Sequence, residues 1–267
     1  MYDYIIVGAG SAGSALANRL SKDPNKRVLL LEAGGADSHP WVRIPMGYGK
    51  VFYDQRVNWK YTTEPNKTLD GNRIYWPRGK VMGGSSSINA MVYVRGHPQD
   101  YDQWAKDAPG WSWTDVAPVF KRMENWLGAA NPDRGSDGPL TVRDIAGDAH
   151  PLCANYLTAA EQAGFAYNPD YNSGQMEGAA LYQITTKNGL RASAARAYIT
   201  PIQHRSNLTL ALRAHVQKLC FEGRKVTGVR YLQKGQLKTA HARAEVILCS
   251  GAINSPQLLQ LSGIGPG

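Results

Sequence analysis

The sequence predicts an α/β fold, a parallel sheet with a β-meander beside it, and three observations carry that prediction. A short apolar run, Tyr4-Ile5-Ile6-Val7, passes directly into Gly8-Ala9-Gly10-Ser11-Ala12-Gly13, and then into residues 14–21 with apolar side chains at helical spacing (Ala12, Leu16, Leu20). A second apolar run, residues 27–32, completes a βαβ unit; unbroken hydrophobicity, rather than alternation, marks strands covered on both faces. Much later, residues 208–212, 215–221 and 226–232 read as closely spaced strands forming a meander, with Glu222-Gly223-Arg224-Lys225 as a hairpin connection.

Between these ends the signals are mixed. Residues 36–78 lose periodicity and intersperse Trp41, Pro45, Trp59, Tyr61, Pro65, Trp76 and Pro77 with polar residues; the aromatic content argues against disorder. A helix is expected from Gly84 to about Tyr93, another over 98–105, and a third capped by Thr114 with Asp115 in its first turn. Residues 131–138, rich in Asn, Asp, Gly and Pro, read as a loop, 139–142 as a strand, and 150–163 as a helix stopped by Gly164. Residues 245–249 form a buried apolar strand that leads into a short helix over 255–261.

Composition narrows the classes. The chain has 267 residues, 43% of them hydrophobic and 19% charged, which is ordinary for a globular protein. The net charge of +9 comes from basic residues scattered singly, a pattern of solvated surface rather than a nucleic-acid patch. Cys153, Cys220 and Cys249 are odd in number and lack CxxC spacing, which argues against a disulfide framework or structural zinc and for a reduced, cytoplasmic setting. No signal peptide is read ahead of the first strand, and no apolar stretch approaches transmembrane length. At most a peripheral contact with the inner membrane is expected.

The first turn carries the strongest chemistry. Gly8 permits a tight turn after the strand, Gly10 lets the backbone approach a pyrophosphate, and Gly13 lets the helix pack closely on the sheet. The amides and dipole of the following helix then face the phosphates. Glu32, nineteen residues beyond Gly13, ends the second strand where an acid accepts ribose hydroxyls and repels a 2′-phosphate. A dinucleotide site follows; FAD and NAD both remain open. The second motif, Arg78 to Asn89, is either a cradle of free amides with added positive potential or a glycine-rich connection with a serine cap, and its pattern leaves both readings standing.

Residues 79–96, with Gly83-Gly84-Ser85-Ser86, Asn89 and Tyr93, are similar to the first signature of the glucose–methanol–choline oxidoreductases; Met82 is a mild departure. Residues 251–265 resemble the second signature throughout. Glu32-Ala33-Gly34-Gly35, Thr63-Glu64-Pro65 and Arg191-Ala192-Ser193-Ala194-Ala195-Arg196 are further familiar stretches. Within that family the chain most resembles bacterial alcohol and choline dehydrogenases. The resemblance implies non-covalent FAD, because the nearest histidine, His97, lies beyond the first signature. It implies that Gly8, Gly10, Ser11, Ala12 and Gly13 hold the pyrophosphate, that Glu32 holds the adenosine ribose, and that Ala33 is a further cofactor-binding residue. Val81, Gly83, Gly84 and Ser85 would run along the cofactor, with Asn89, Ala90, Met91 and Val92 near the isoalloxazine. Val216 matches the position whose backbone meets adenine, and Ser250 and Gly251 close over the ADP portion.

The implied fold is a Rossmann-like FAD-binding domain, residues 1–138 and 191–267, with an incomplete substrate-binding domain at 139–190. The implied reaction is oxidation of a primary alcohol by hydride transfer to flavin, with electrons passed to a quinone or another carrier. The histidine base of relatives lies in a carboxyl-terminal half beyond these residues, so that half is an implied partner and no catalytic residue is assigned. His39, His97, His150, His204, His215 and His241 are read as surface or capping residues. The alternatives are an FAD-binding fragment without turnover, or an oxidase or lyase of the same fold.

Overall fold

The structure, a computed structural model, describes residues 1–266; Gly267 lies outside the described residues. Contacts group the chain into two compact units, one formed by Met1–Ala90 together with the segment from Ser193 onward, the other by Met91–Ala192.

The first unit is built on a six-stranded sheet of β1 (Tyr2–Val7), β2 (Val28–Leu31), β3 (Leu208–Ala211), β4 (Ala214–Glu222), β5 (Lys225–Gln233) and β6 (Gln236–Leu248), in the order β4-β5-β6-β1-β2-β3. β6, β1, β2 and β3 run parallel, and β4, β5 and β6 antiparallel. β6 joins the two halves. Its residues 236–241 pair with β5, and its later residues with β1, ending at Val7↔Leu248. Ile5, Leu29 and Leu31 pack on one sheet face with Val216 and Leu219; Ile6, Val28 and Leu30 pack on the other with Ala17 of α1 (Ser11–Leu20), Ala195 and Ile199. Two buried faces explain why β1 and β2 read as unbroken apolar runs. A second helix, α2 (Gly251–Leu261), leaves the end of β6.

The meander differs in membership from the sequence reading. Residues 208–212 supply β3, which extends the parallel sheet beside β2; the meander is β4-β5-β6. Asn207 anchors the exchange, its side-chain amide donating to the carbonyls of Ser21, Asp23 and Lys26 and so tying the start of β3 to the α1–β2 connection. The first half of β6 escapes pattern reading because its residues are mostly exposed and polar. The hairpin at Gly223 forms as expected, with φ +58°.

Residues 36–78 are ordered around a cluster of their own, in which Val42, Val51 and Val57 pack with Val81 and Ile88. The expected helix from Gly84 to Tyr93 is replaced by a single 3-10 turn, Gly84–Ser87. The chain then turns through Met91 at φ +65° into extended backbone, with Tyr93 N–H donating to Gln183 O at 2.8 Å. A left-handed residue and a long-range hydrogen bond within the chain are incompatible with a continuing helix.

The second unit holds helices Pro98–Ala105, Trp113–Met123 and Leu152–Gln162. The cap of the second is Ser112 rather than Thr114: Asp115 reaches back to the Ser112 N–H in a capping box. Strand Glu124–Trp126 pairs in parallel with Leu140–Val142, and Leu127 N–H reaches Val142 O at 2.9 Å. Residues 91–138 are therefore stitched to 139–190, and the compact unit begins at Met91 rather than at the break after residue 138 read from the sequence.

Charge, more than apolar packing, organises this unit. The three clusters of buried apolar side chains all lie in the first unit. Here Glu124, fully buried, accepts from Arg95 at 2.7 Å, from Arg134 at 2.6 Å and from Gly135 N–H at 3.0 Å. Arg134 also meets Asp170 at 2.6 Å and Gln183 at 2.9 Å, while its guanidinium lies over the Trp126 ring at 3.9 Å. No helix among the described residues is long and apolar enough to cross a membrane.

Removing one member of such a buried network strands the others. Glu124→Gln is expected to destabilise the protein by roughly 3–5 kcal/mol, whereas Glu64→Gln, in an exposed pair with Arg73, should cost about 1 kcal/mol or less. Thermal unfolding followed by circular dichroism compares the two; equal effects would contradict the structural weight given to Glu124.

Candidate functional site

The carboxyl ends of β1, β2 and β6, the first turns of α1 and α2, and the beginning of β4 surround a cleft of about 680 Å³, within the range of small-molecule sites. Open parallel sheets place ligands at this edge, where strands end and helix N-termini point inward. Of the residues singled out from the sequence, Gly8, Gly10, Ser11, Ala12, Glu32, Ala33, Gly84, Ser85, Val216, Ser250 and Gly251 line it.

The glycines separate by role. Gly8 has φ +103°, and a Cβ there would lie 2.5 Å from Cys249 O, so it lets the ends of β1 and β6 converge. A Cβ on Gly13 would lie 1.9 Å from Gly8 O, so this glycine allows α1 to sit directly on the turn. Gly10 is different. Its φ is −73°, and a Cβ there would have its nearest neighbour at 3.9 Å. Neither strain nor crowding in the protein itself requires glycine at position 10. The missing side chain leaves room on the cleft side, which is what close approach of a diphosphate to backbone requires.

Glu32 has a structural role that the sequence reading did not assign to it. It is 6% exposed, and its two carboxylate oxygens accept from Ala9 N–H at 2.9 Å and Gly34 N–H at 2.8 Å, joining the glycine turn to the loop after β2. Each oxygen keeps further acceptor capacity toward the cleft. Burial pushes its pKa up; the N–H groups of Gly34 and Ala9 and the charge of Lys80 oppose that shift.

In the second glycine motif the 3-10 turn is capped by Gly83, without a serine side-chain cap. Ser86 donates to Gly83 O at 2.6 Å and Ser87 to Met82 O at 2.7 Å, so these hydroxyls hold the loop itself. Gly84 and Ser85 face the cleft. Gly83, at φ +90°, donates its N–H to Ala9 O at 2.7 Å, and Val81 is fully buried; both support the wall without lining it. Asn89 and Ala90 are exposed at the end of the first unit, outside the cleft lining. Met91, buried, and Val92, exposed and bridged to Ile184, belong to the second unit.

Sequence reasoning missed an aromatic wall. Trp59 stacks on Tyr61 with ring centroids 5.9 Å apart and meets the His215 ring at 5.3 Å; Tyr61 OH bonds Asn254. Trp59, His215 and Asn254 line the cleft, His215 as the exposed residue expected of it. Burial, and then the Lys80 charge, push its pKa down and favour a neutral ring. His39, His97 and His150 follow the capping expectation, each accepting a backbone N–H two residues ahead through Nδ1. No signal pointed to Trp59, because its approach to the cleft depends on the path of the irregular 36–78 segment.

Two substitutions check the glycine roles. Gly13→Ala should lower stability by about 1–3 kcal/mol or prevent folding. Gly10→Ala should leave the melting temperature unchanged yet weaken binding of a dinucleotide roughly tenfold or more, about 1.4 kcal/mol, read by titration of the folded variant. A destabilised Gly10→Ala protein would contradict the assignment.

Comparison with known proteins gives the same picture over the whole chain. A family model described as GMC oxidoreductase matches residues 2–267. An alcohol dehydrogenase [acceptor] of Pseudomonas putida is 47% identical over 271 residues, covering 99% of this chain and 49% of that protein. The mitochondrial choline dehydrogenase of Homo sapiens is 46% identical over 272 residues, covering 99% and 46%. Among solved structures, pyridoxine 4-oxidase from Mesorbium loti superposes with a TM-score of 0.95 at 35% identity, over 100% of this chain and 52% of that one. An FAD-dependent oxidoreductase from Chaetomium thermophilum does so at 0.92 and 29% identity, over 100% and 48%. The chain spans about half the length of the curated relatives it matches. With the family model covering nearly every residue of a fold whose sheet, glycine turn and cleft are those described above, the chain belongs to the GMC oxidoreductase family.

Proposed function

We propose that this chain forms the cofactor-holding half of an enzyme that oxidises a primary alcohol to an aldehyde, with FAD bound non-covalently in the cleft. The observation that carries the reading is the empty space beside Gly10, opposite Gly84 and at the N-terminus of α1, in a cleft that also presents the Glu32 carboxylate. Diphosphate, ribose and adenine find in it, in turn, amides, an acceptor and the backbone around Val216. Bound FAD supplies a hydride acceptor that no side chain of this chain can replace.

The protein's own residues bind and orient. Amides of Ser11 and Ala12 face the phosphates with the positive end of α1. Glu32 accepts from the ribose, and Ser250 and Gly251 close the far side of the ADP portion. Asn89, Ala90, Met91 and Val92 are assigned to the isoalloxazine end, and the second unit to part of the substrate-binding domain. His97 serves as the cap of helix Pro98–Ala105, which supports non-covalent attachment. The base that takes the alcohol proton is placed in the portion of the relatives that this chain does not span, together with much of the substrate site. The alcohol dehydrogenase [acceptor] and choline dehydrogenase relatives support the alcohol; a quinone or another carrier is taken as the electron acceptor. A second reading, an oxidase that passes electrons to oxygen, is favoured by the 35% identical pyridoxine 4-oxidase.

Purified as the whole protein that carries these residues, the enzyme should be yellow, and under anaerobic conditions a primary alcohol or choline should bleach its flavin absorbance. Admitting oxygen, or a quinone analogue in its absence, then separates oxidase from dehydrogenase by which one restores the colour. A colourless protein that does not take up FAD overturns the proposal.

Glu32 adds a pH dependence. Its pKa is raised above the usual 4.5, so on acidification it is protonated earlier than an ordinary glutamate and stops accepting as an anion. In the apo-protein the raised value means that the proton-linked stability from Glu32 is present at low pH and lost as pH rises through the folded-state pKa. FAD affinity runs the other way, weakening as pH falls through that same value. Glu32→Gln should lower FAD affinity at neutral pH by roughly tenfold or more and flatten the profile between pH 4.5 and neutrality, measured by flavin fluorescence quenching.

A further inference from the structure

On the wall of the cleft, beside the dinucleotide turn, lies the cation Arg78. Three glycines bring it there. A Cβ built on Gly84 would lie 2.7 Å from Gly10 Cα, and one built on Gly79 would lie 2.2 Å from Gly84 C and O, so three backbone segments are pressed together in series. Arg78 directly precedes Gly79, and both line the cleft with Gly10 and Ser11. The stack places Arg78 beside the Gly10 turn.

The guanidinium is already oriented. Arg78 Nη1 donates to Pro77 O at 2.7 Å, and Arg78 Cζ lies 4.8 Å from the centroid of the Trp76 ring. One of its five N–H donors is thereby used. Among the described residues no carboxylate lies within ion-pair distance of it. The cleft carboxylate, Glu32, is held by the N–H groups of Ala9 and Gly34. The second cation of the motif, Lys80, sits over the Trp59 ring at 4.5 Å. A half-buried arginine that is stacked, tethered at one nitrogen and unpaired at its remaining donors is pre-organised for bidentate contact with an oxyanion such as phosphate.

We infer that Arg78 is a diphosphate-positioning residue, gripping the bridging phosphates beside the glycine turn, so that the cleft selects a diphosphate-linked dinucleotide over an unphosphorylated nucleoside. The inference rests on the proposed FAD reading. The α1 and α2 N-termini offer partial positive charge and Lys80 offsets part of the Glu32 charge, so a ligand with two phosphate charges gains further from a cation that itself lines the cleft. Arg78 supplies that cation. Its stacking on Trp76 limits the side-chain entropy lost on binding.

The test uses the intact FAD-binding protein with its flavin removed, and ADP and adenosine as competitors of FAD recapture followed by flavin fluorescence. R78A should weaken ADP roughly tenfold or more, leave adenosine within about twofold, and flatten the dependence of ADP affinity on salt. R78K should recover part of the ADP affinity and its salt dependence, because it keeps the charge and loses the fork. Should R78A fail to fold, R78Q, which retains a donor toward Pro77 O, must show the same split between ADP and adenosine. Equal weakening of both ligands, or of neither, in a folded variant overturns the inference and leaves the flavin reading intact. Failure of the unaltered protein to take up FAD removes that reading, and the inference with it.

Discussion

The first unit depends on how closely backbone can approach backbone at the end of β1. Three segments meet within van der Waals distance there: the turn after β1, the end of β6, and the first turn of α1. A Cβ on Gly8 would intrude on Cys249 O at 2.5 Å, and one on Gly13 on Gly8 O at 1.9 Å. Side chains at these positions would force the helix off the sheet and open the strand ends. With hydrogens in their place, the α1 amides are brought to the sheet edge and a cleft forms beside them. Gly84 and Gly79 continue the principle outward, so the second glycine motif is the far wall of the same construction.

Polar groups fasten this arrangement where apolar packing cannot reach. Glu32 bonds to amides on either side of the cleft floor, and Gly83 N–H to Ala9 O holds the second motif against the first turn. Both bonds are buried, so losing either partner would leave a desolvated group unsatisfied. The same logic runs further in the second unit, where Glu124 and Arg134 stand at the centre of a buried network with Arg95, Asp170, Gln183 and Asn172. Networks of this kind are intolerant of partial loss. Glu32 is thus a fastener that also lines the cleft.

Family membership and geometry constrain different things. Membership covers residues 2–267 and carries the fold. The cleft geometry goes further within the chain, separating glycines that serve packing (Gly8, Gly13) from one that leaves room for a ligand (Gly10), and separating serines that tie their own loop (Ser86, Ser87) from one at the cleft wall (Ser85). Similarity alone would have treated every residue of both signatures alike.

By itself, the sequence determined the βαβ start, the glycine turn, the acid at the end of β2 and the strand leading into α2, because each is encoded within about thirty residues by periodicity and by residues whose backbone preferences are narrow. It could not determine which strands pair. β3 left the expected meander for the parallel sheet because Asn207 reaches carbonyls nearly two hundred residues away, and the polar first half of β6 became a strand only by pairing with β5. The helix expected after Gly84 failed for the same reason, a left-handed Met91 followed by the bridge from Tyr93 to Gln183 outweighing local propensity. Trp59, His215 and Arg78 reach the cleft only through tertiary approach. Local energetics are written in neighbouring residues, whereas strand partners and cleft walls are chosen by contacts that exist only once distant segments have met.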